Sequence, residues 1–110
     1  MHRFVARANI DHYLGLLNSD VMLSADKRAT LIKLLIAEED QLSHDLEQLE
    51  FAETRAARGR ERLKRVRQLR DAADPADRVN ADRLVANIEE AQNLVEGFCH
   101  RLREKVNSRL

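Results

Sequence analysis

The sequence contains few residues that interrupt or crosslink a chain. Its 110 residues include one proline, three glycines, one cysteine and no tryptophan. The single cysteine, Cys99, cannot form an internal disulfide bond, which excludes a disulfide-stabilised scaffold. No stretch approaches the roughly 20 apolar residues of a membrane span, and the N-terminal segment lacks the apolar run of a signal peptide. We therefore expect a cytoplasmic protein that does not contact a membrane.

Aromatic residues are also scarce, at 4% of the chain, whereas charged residues reach 35%. This balance is typical of long amphipathic helices. The 19 basic and 19 acidic residues cancel, so no net charge favours binding to nucleic acid. The sequence lacks a glycine-rich phosphate loop, a nucleophile elbow and a catalytic triad spacing. We expect one non-enzymatic all-α domain over residues 1–110, without a catalytic residue, a metal or a cofactor.

Apolar spacing and end signals predict three helices. They cover about residues 3–18, 25–73 and 75–107. Ser24 is a suitable N-cap for the second helix, and Asp74 followed by Pro75 is a suitable start for the third. Helices joined by so short a connection are antiparallel neighbours. The predicted fold is a helical hairpin preceded by a short N-terminal helix.

Apolar residues recur at steps of three and four along both long helices and predict the core of this hairpin. The candidates are Leu42, Leu49, Ala52, Ala56, Gly59, Leu63, Val66, Leu84, Ile88, Ala91, Val95, Phe98 and Leu102. Ala52, Ala56 and Gly59 are small and lie at successive turns. We expect a neighbouring helix to approach closely there, or a bulky side chain such as Phe98 to fill the space. A hinge at Gly59 is the alternative, because glycine costs about 1 kcal/mol relative to alanine inside a helix.

The start of the long helix is apolar around most of its circumference. The residues concerned are Leu31, Ile32, Leu34, Leu35 and Ile36. One short helix cannot cover so broad a face, so we expect a second subunit or a partner helix to cover the rest. The predicted function is protein interaction, by a small regulatory or scaffold protein. We expect a helical homo-oligomer with coiled-coil-like spacing, with a dimer favoured as a four-helix bundle or an end-to-end pair.

Charge changes sign along the second helix. Seven acids and no base lie between residues 38 and 53, and eight bases and one acid lie between 55 and 70. Folding the chain at Asp74 brings acids of the third helix beside these bases, which supports the hairpin. The same helix could also pair with its own copy around Thr54. The basic run from Arg55 to Arg70 leaves nucleic-acid binding as an alternative function, although its arginines surround the helix and no aromatic residue lies among them.

Residues 42–49, LSHDLEQL, resemble the phosphorylation box in the dimerisation domain of sensor histidine kinases. The resemblance implies His44 as a phosphoryl acceptor and Asp45 as its general base. The arginine and proline that usually follow are missing here, and the chain has no nucleotide-binding domain. A phosphotransfer or signalling domain is therefore an alternative function, and a solvated His44 is the structural interpretation.

Glu96, His100 and Glu104 stand one turn apart on one helix face, a spacing at which metal ligands converge. Cys99 is adjacent in sequence but points about 100° away from His100. The glutamates are equally explained as partners of nearby bases. We expect no metal here, and Cys99 as a small core residue.

The N-terminal part carries N-I-D-H-Y-L-G-L-L at 9–17, K-R-A-T-L at 27–31 and L-L-I-A-E-E at 34–39. This pattern resembles a short helical module in small alphaproteobacterial proteins. The resemblance implies a bacterial source and carries no known activity.

Overall fold

A computed structural model describes residues 2–19, 23–41 and 46–108. These ranges hold four helices: α1 (His2–Leu17), α2 (Ala25–Gln41), α3 (Leu46–Ala72) and α4 (Pro75–Ser108). No strand is found within them. The all-α prediction is confirmed, and the helices pack as a bundle.

The start of α2 and the start of α4 each follow a signal in the sequence. Ser24 Oγ accepts a hydrogen bond from the backbone N–H of Lys27 at 3.2 Å, which is the geometry of an N-cap. Pro75 is the first residue of α4, where its missing N–H leaves no helical bond unmade. The N–H of Asp77 donates to the carbonyl oxygen of Asp74 at 2.9 Å and closes this first turn.

The central helix predicted over residues 25–73 is wrong as one straight helix, because the molecule is too short to contain it. A straight helix of that length would measure about 73 Å, whereas the longest dimension of the molecule is 52 Å. α2 and α3 run in opposite directions, as their contacts with α1 show, and residues 42–45 lie outside the described residues. A continuous rod would leave the broad apolar face of α2 in water. Folding back buries that face within the same chain.

α3 and α4 run in opposite directions along each other. Arg67 and Glu89 form an ion pair at 3.2 Å, and Glu53 lies 3.6 Å from Arg103. Residue numbers therefore fall along α3 as they rise along α4. Such exposed pairs contribute only about 0–1 kcal/mol each, so they select the register more than they stabilise it.

α1 and α2 form a second antiparallel pair. Asn9 Nδ2 donates to Glu38 Oε1 at 3.1 Å, at the middle of α1 and near the end of α2. At the other end, the Arg28 guanidinium donates to the carbonyl oxygen of Leu17 at 3.2 Å. This bond satisfies a carbonyl group that the end of α1 would otherwise leave without a partner.

Contacts between the two pairs place α1 beside α3. The Arg7 guanidinium lies 4.5 Å from the ring centroid of Phe51, and one turn further on Arg55 Nε lies 2.8 Å from Asp11 Oδ1. Residue numbers rise together along these two helices, so α1 and α3 are parallel.

α2 lies beside α4, and these two helices are also parallel. Arg28 is 2.6 Å from Glu90 Oε1, and Glu39 lines a small cavity together with Arg101. Successive helices therefore alternate in direction, as in an up-down-up-down bundle.

The main core takes buried residues from all four helices. They are Ala6, Ile10, Leu14, Leu17, Leu35, Ala56, Ala91, Val95 and Phe98. Burying one large aliphatic side chain contributes about 1.5–3 kcal/mol. This core is therefore the main attachment of the α1–α2 pair to the α3–α4 pair.

α3 and α4 are longer than the helices packed on them. They contain 27 and 34 residues, against 16 and 17 in α1 and α2. A separate small core of Leu63, Val85 and Ile88 is formed by α3 and α4 alone. We call the two-helix extension that contains it, residues 58–88, the arm.

Candidate interaction surfaces

The apolar segment at residues 31–36 is mostly covered by its own chain. Leu35 has 0% of its surface exposed and belongs to the core shared by the four helices. Leu31, Ile32 and Ile36 pack against that core, and Leu34 is 43% exposed. α1, α3 and α4 cover most of this face, and the expectation that a second subunit or a partner helix covers the rest stays a prediction.

An open groove of about 360 Å³ remains between the end of α1 and the start of α2. Its lining residues are Leu16, Leu23, Asp26, Lys27, Thr30 and Leu31. Leu16 is 38% exposed, and Leu34 lies one turn beyond Leu31 on the same helix. We call these residues, with Leu34, the outer groove. It combines apolar side chains with one charge of each sign.

Most of the candidate core residues of the two long helices are shielded from solvent. Ala52, Ala56, Gly59, Leu63, Ile88, Ala91, Val95, Phe98 and Leu102 are buried, and Leu49, Val66 and Leu84 are partly buried. Leu42 lies outside the described residues. The buried residues Gln48 and Gln92 were not expected, because a polar side chain carries no signal in an apolar pattern.

Gln92 fills the space beside Gly59. Its Nε2 atom donates to the carbonyl oxygen of Ala56 at 2.9 Å and to Glu96 Oε1 at 2.8 Å. A Cβ atom added at Gly59 would overlap the carboxamide of Gln92. Gly59 therefore accommodates Gln92, whereas Ala56 lies in the same buried cluster as Phe98. Gly59 lies inside the continuous helix α3.

A buried polar pair joins the end of α2 to the start of α3. Gln48 Nε2 donates to Glu39 Oε2 at 3.2 Å, and both side chains are buried. The Oε1 atom of each has no hydrogen-bond partner. Burial raises the pKa of Glu39, against the lowering effects of Arg55, Gln48 and Arg101, while Asp40 raises it further.

The side chains considered for metal binding have other partners. Glu96 Oε1 accepts from Arg60 at 2.5 Å as well as from Gln92, and His100 Nε2 lies 3.1 Å from Glu104 Oε1. Within the described ranges, no three His, Cys, Asp or Glu side chains could hold a metal ion. Cys99 is buried as a free thiol.

The basic run of α3 divides into two sets. Arg55, Arg60, Arg67 and Arg70 are ion-paired with acids of the same chain. Among the described residues, no ion pair is found for the second set: Arg58, Arg62, Lys64 and Arg65. Half of the basic run is therefore already neutralised by the fold.

His44 and Asp45 lie outside the described residues, so the phosphotransfer alternative stays a prediction. No helix in the described part of the chain is long and apolar enough to cross a membrane. Comparison with protein-family models, curated proteins and solved structures finds no match to this chain. The alphaproteobacterial resemblance likewise stays a prediction, and functional inference depends on the surfaces described above.

Proposed function

We propose that this chain is a non-enzymatic protein-interaction module, a small regulatory or scaffold protein that associates with a second copy of itself. The observation that carries the proposal is the outer groove. Leu16 and Leu34 are exposed there, and Leu23 and Leu31 are only partly buried, although the chain has a core that buries other leucines. Removing apolar surface from water contributes about 25 cal/mol per Å², so a partner that covers the groove gains stability.

The charges of the groove favour a second copy as the partner. Asp26 and Lys27 are neighbours in sequence, and both line the groove. In a dimer with twofold symmetry, the same patch of each subunit faces the other. Asp26 of one subunit then meets Lys27 of its partner, and the reverse pair forms at the same time. The zero net charge of the chain also means that two copies do not repel each other.

In this proposal, α3 and α4 hold the outer groove in a fixed shape. The α3–α4 hairpin carries the α1–α2 pair on one end through the four-helix core, which holds the groove residues of α1 and α2 at a constant spacing. A groove on packed helices needs little ordering when a partner binds, which lowers the entropic cost of association.

Sedimentation of the chain at micromolar concentrations tests the proposal. We expect a dimer for the unmodified chain and a monomer for Leu16→Glu or Leu34→Glu, because a buried unpaired carboxylate opposes association. Val79→Glu is the matched control, since Val79 is an exposed aliphatic residue on the arm, outside the groove. A monomer for the unmodified chain, or equal loss of the dimer in the control, would overturn the proposal. Leu35→Glu is unsuitable because Leu35 is in the core.

A charge exchange tests the twofold arrangement. Asp26→Lys should weaken the dimer, because each subunit would then bring two lysines to the contact. Adding Lys27→Asp to this variant restores one charge of each sign and should restore the dimer. Circular dichroism controls for the loss of Asp26 from the first turn of α2, where a carboxylate favours the helix by about 0.3–1 kcal/mol. Failure of the exchanged variant to dimerise would rule out the paired charges.

A further inference from the structure

Three arginines on α3 form a row that the fold does not neutralise. Arg58, Arg62 and Arg65 follow each other at steps of four and three residues, so they share one side of the helix. No ion pair with any of them is found among the described residues, although four other bases of the same helix are paired. Glu61 is the single acid between residues 55 and 70, and in the described structure it pairs with none of the three.

Leu69 extends the row by one more turn. It follows Arg65 by four residues and is 67% exposed, although most leucines of the two long helices are shielded. The spacing of the four residues is therefore four, three and four, which is the spacing at which one helix packs along another. We call Arg58, Arg62, Arg65 and Leu69 the basic row.

We infer that the basic row is a docking site for an acidic amphipathic helix of another protein, independently of self-association through the outer groove. Guanidinium groups bind carboxylates through two parallel hydrogen bonds. A partner helix with carboxylates at matching steps meets all three arginines, and an apolar side chain on its next turn meets Leu69. Recognition of a helix by anchors at such steps is a recurring mode of binding.

The composition of the row favours a protein over a nucleic acid. Affinity for a phosphate backbone grows with the number of phosphates that basic residues neutralise, and three arginines supply few such contacts. The row has no aromatic side chain on which a base could stack. Leu69 has no partner in a phosphate backbone, and the carboxylate of Glu61 beside the row repels phosphates. A protein helix can place a polar residue opposite Glu61 and a leucine opposite Leu69.

Fluorescence anisotropy with two synthetic helical peptides tests the inference. One peptide carries glutamates at three positions of the four-three spacing and a leucine at the fourth, and the matched peptide has glutamines instead of glutamates. We expect the glutamate peptide to bind about tenfold more tightly at low ionic strength. The difference should shrink as salt is added, because the pairs are exposed to solvent.

Charge-reversal variants test whether the glutamate peptide binds to the basic row. Arg65→Glu and Arg58→Glu should each weaken binding of the glutamate peptide about tenfold, and Arg65→Gln about threefold. Arg78→Glu is the matched control with the same change of charge on the arm. Arg78 lies on the side of α4 that carries Glu89, the partner of Arg67, and so away from the row. Unchanged circular dichroism spectra and melting temperatures show that each variant is folded.

Four outcomes would overturn the inference. If Arg65→Glu and Arg78→Glu weaken binding of the glutamate peptide equally, the attraction is general and electrostatic. The same holds if the chain binds the two peptides equally well. Tighter binding of mixed-sequence duplex DNA than of the glutamate peptide, lost in Arg65→Glu, means a nucleic-acid site. Self-association of the unlabelled chain that is lost in Arg65→Glu and retained in Leu34→Glu means that the row binds a second copy of this chain.

Discussion

The carboxamide of Gln92 on α4 occupies the position that a side chain at Gly59 on α3 would need. From there it donates hydrogen bonds to Ala56 of the facing helix and to Glu96 of its own helix. Gly59 is therefore required by a neighbour and not by its own backbone, since no glycine in the described residues has a positive φ. One polar contact accounts for an interior glycine that helix propensity alone disfavours.

Gly59→Ala should destabilise the protein by about 1–2 kcal/mol. Alanine favours the helix by about 1 kcal/mol, but Gln92 must then move and leave its buried hydrogen bonds, at a cost of about 1–3 kcal/mol in addition to overpacking. Gly97→Ala is the control, because a Cβ atom at Gly97 meets nothing within 4 Å. Urea unfolding should show stabilisation of about 0.5–1 kcal/mol for that variant.

A double variant separates the helix preference of alanine at position 59 from its overlap with Gln92. In a Gln92→Ala background the overlap is gone, so Gly59→Ala should now stabilise the helix by about 0.5–1 kcal/mol. The same sign for Gly59→Ala in both backgrounds would show that Gln92 is not the obstacle.

Truncation should cost much more stability at Leu35 than at Leu34, although the two are neighbours in sequence. Leu35→Ala opens a cavity in the core shared by the four helices and should cost about 2–5 kcal/mol. Leu34→Ala removes a half-exposed side chain and should cost less than about 1 kcal/mol in the monomer. Both are measured by urea unfolding of a Leu16→Glu background, which removes the contribution of dimerisation. Similar costs for the two variants would contradict the placement of α2.

Cys99 should react slowly with a thiol reagent in the folded protein. It is buried beside Ala52 and Leu102, and burial raises the pKa of its thiol, more than the nearby Arg103 lowers it. The reactive thiolate is therefore both shielded and less populated than that of an exposed cysteine at the same pH. Labelling with a chromogenic disulfide reagent should be fast in urea and slow without it. Fast labelling of the folded chain would contradict the buried position.

The sequence was informative where local chemistry determines structure. Ser24 and Pro75 stand at helix starts because capping depends on nearby residues alone. The reversal between α2 and α3 left no such signal: residues 42–45 contain neither glycine nor proline, and Leu42 and Leu49 continue the apolar spacing across them. The one glycine of this region, Gly59, lies inside α3. The opposite directions of α2 and α3 accompany burial of α2 against the other helices, which a one-dimensional pattern does not contain.

The outer groove and the basic row differ in how far the sequence predicted them. The apolar excess at residues 31–36 correctly indicated that α2 needs several neighbours, but the same chain provides most of them. Only the structure separates Leu34, which faces solvent, from Leu35, which does not. The sequence did not distinguish the basic row within a run of eight bases. Pairing with distant acids such as Asp11 and Glu96 decides which arginines can bind a partner.

Glu39 should make the stability of the protein depend on pH. Its side chain is 5% exposed, and its Oε1 atom and that of Gln48 are both acceptors without a donor. Protonation removes the buried negative charge of Glu39 and gives its carboxyl group a hydrogen-bond donor. Because burial raises the pKa of folded Glu39 above the value of 4.5 for an unperturbed glutamate, the folded state binds the proton more tightly than the unfolded state. The stability from this group is fully present below pH 4.5 and is lost as pH rises through the raised pKa.

Glu39→Gln tests this dependence, since a glutamine has the same shape and keeps a donor at every pH. At neutral pH the variant should be more stable than the unmodified chain by about 1 kcal/mol or more, the usual cost of a buried acceptor without a partner. The difference should shrink as the pH is lowered and Glu39 takes up its proton. Glu50→Gln, with the same change of charge at an exposed site of α3, is the control. Urea unfolding over a series of pH values measures all three proteins. A difference that does not vary with pH would mean that the proton is not involved.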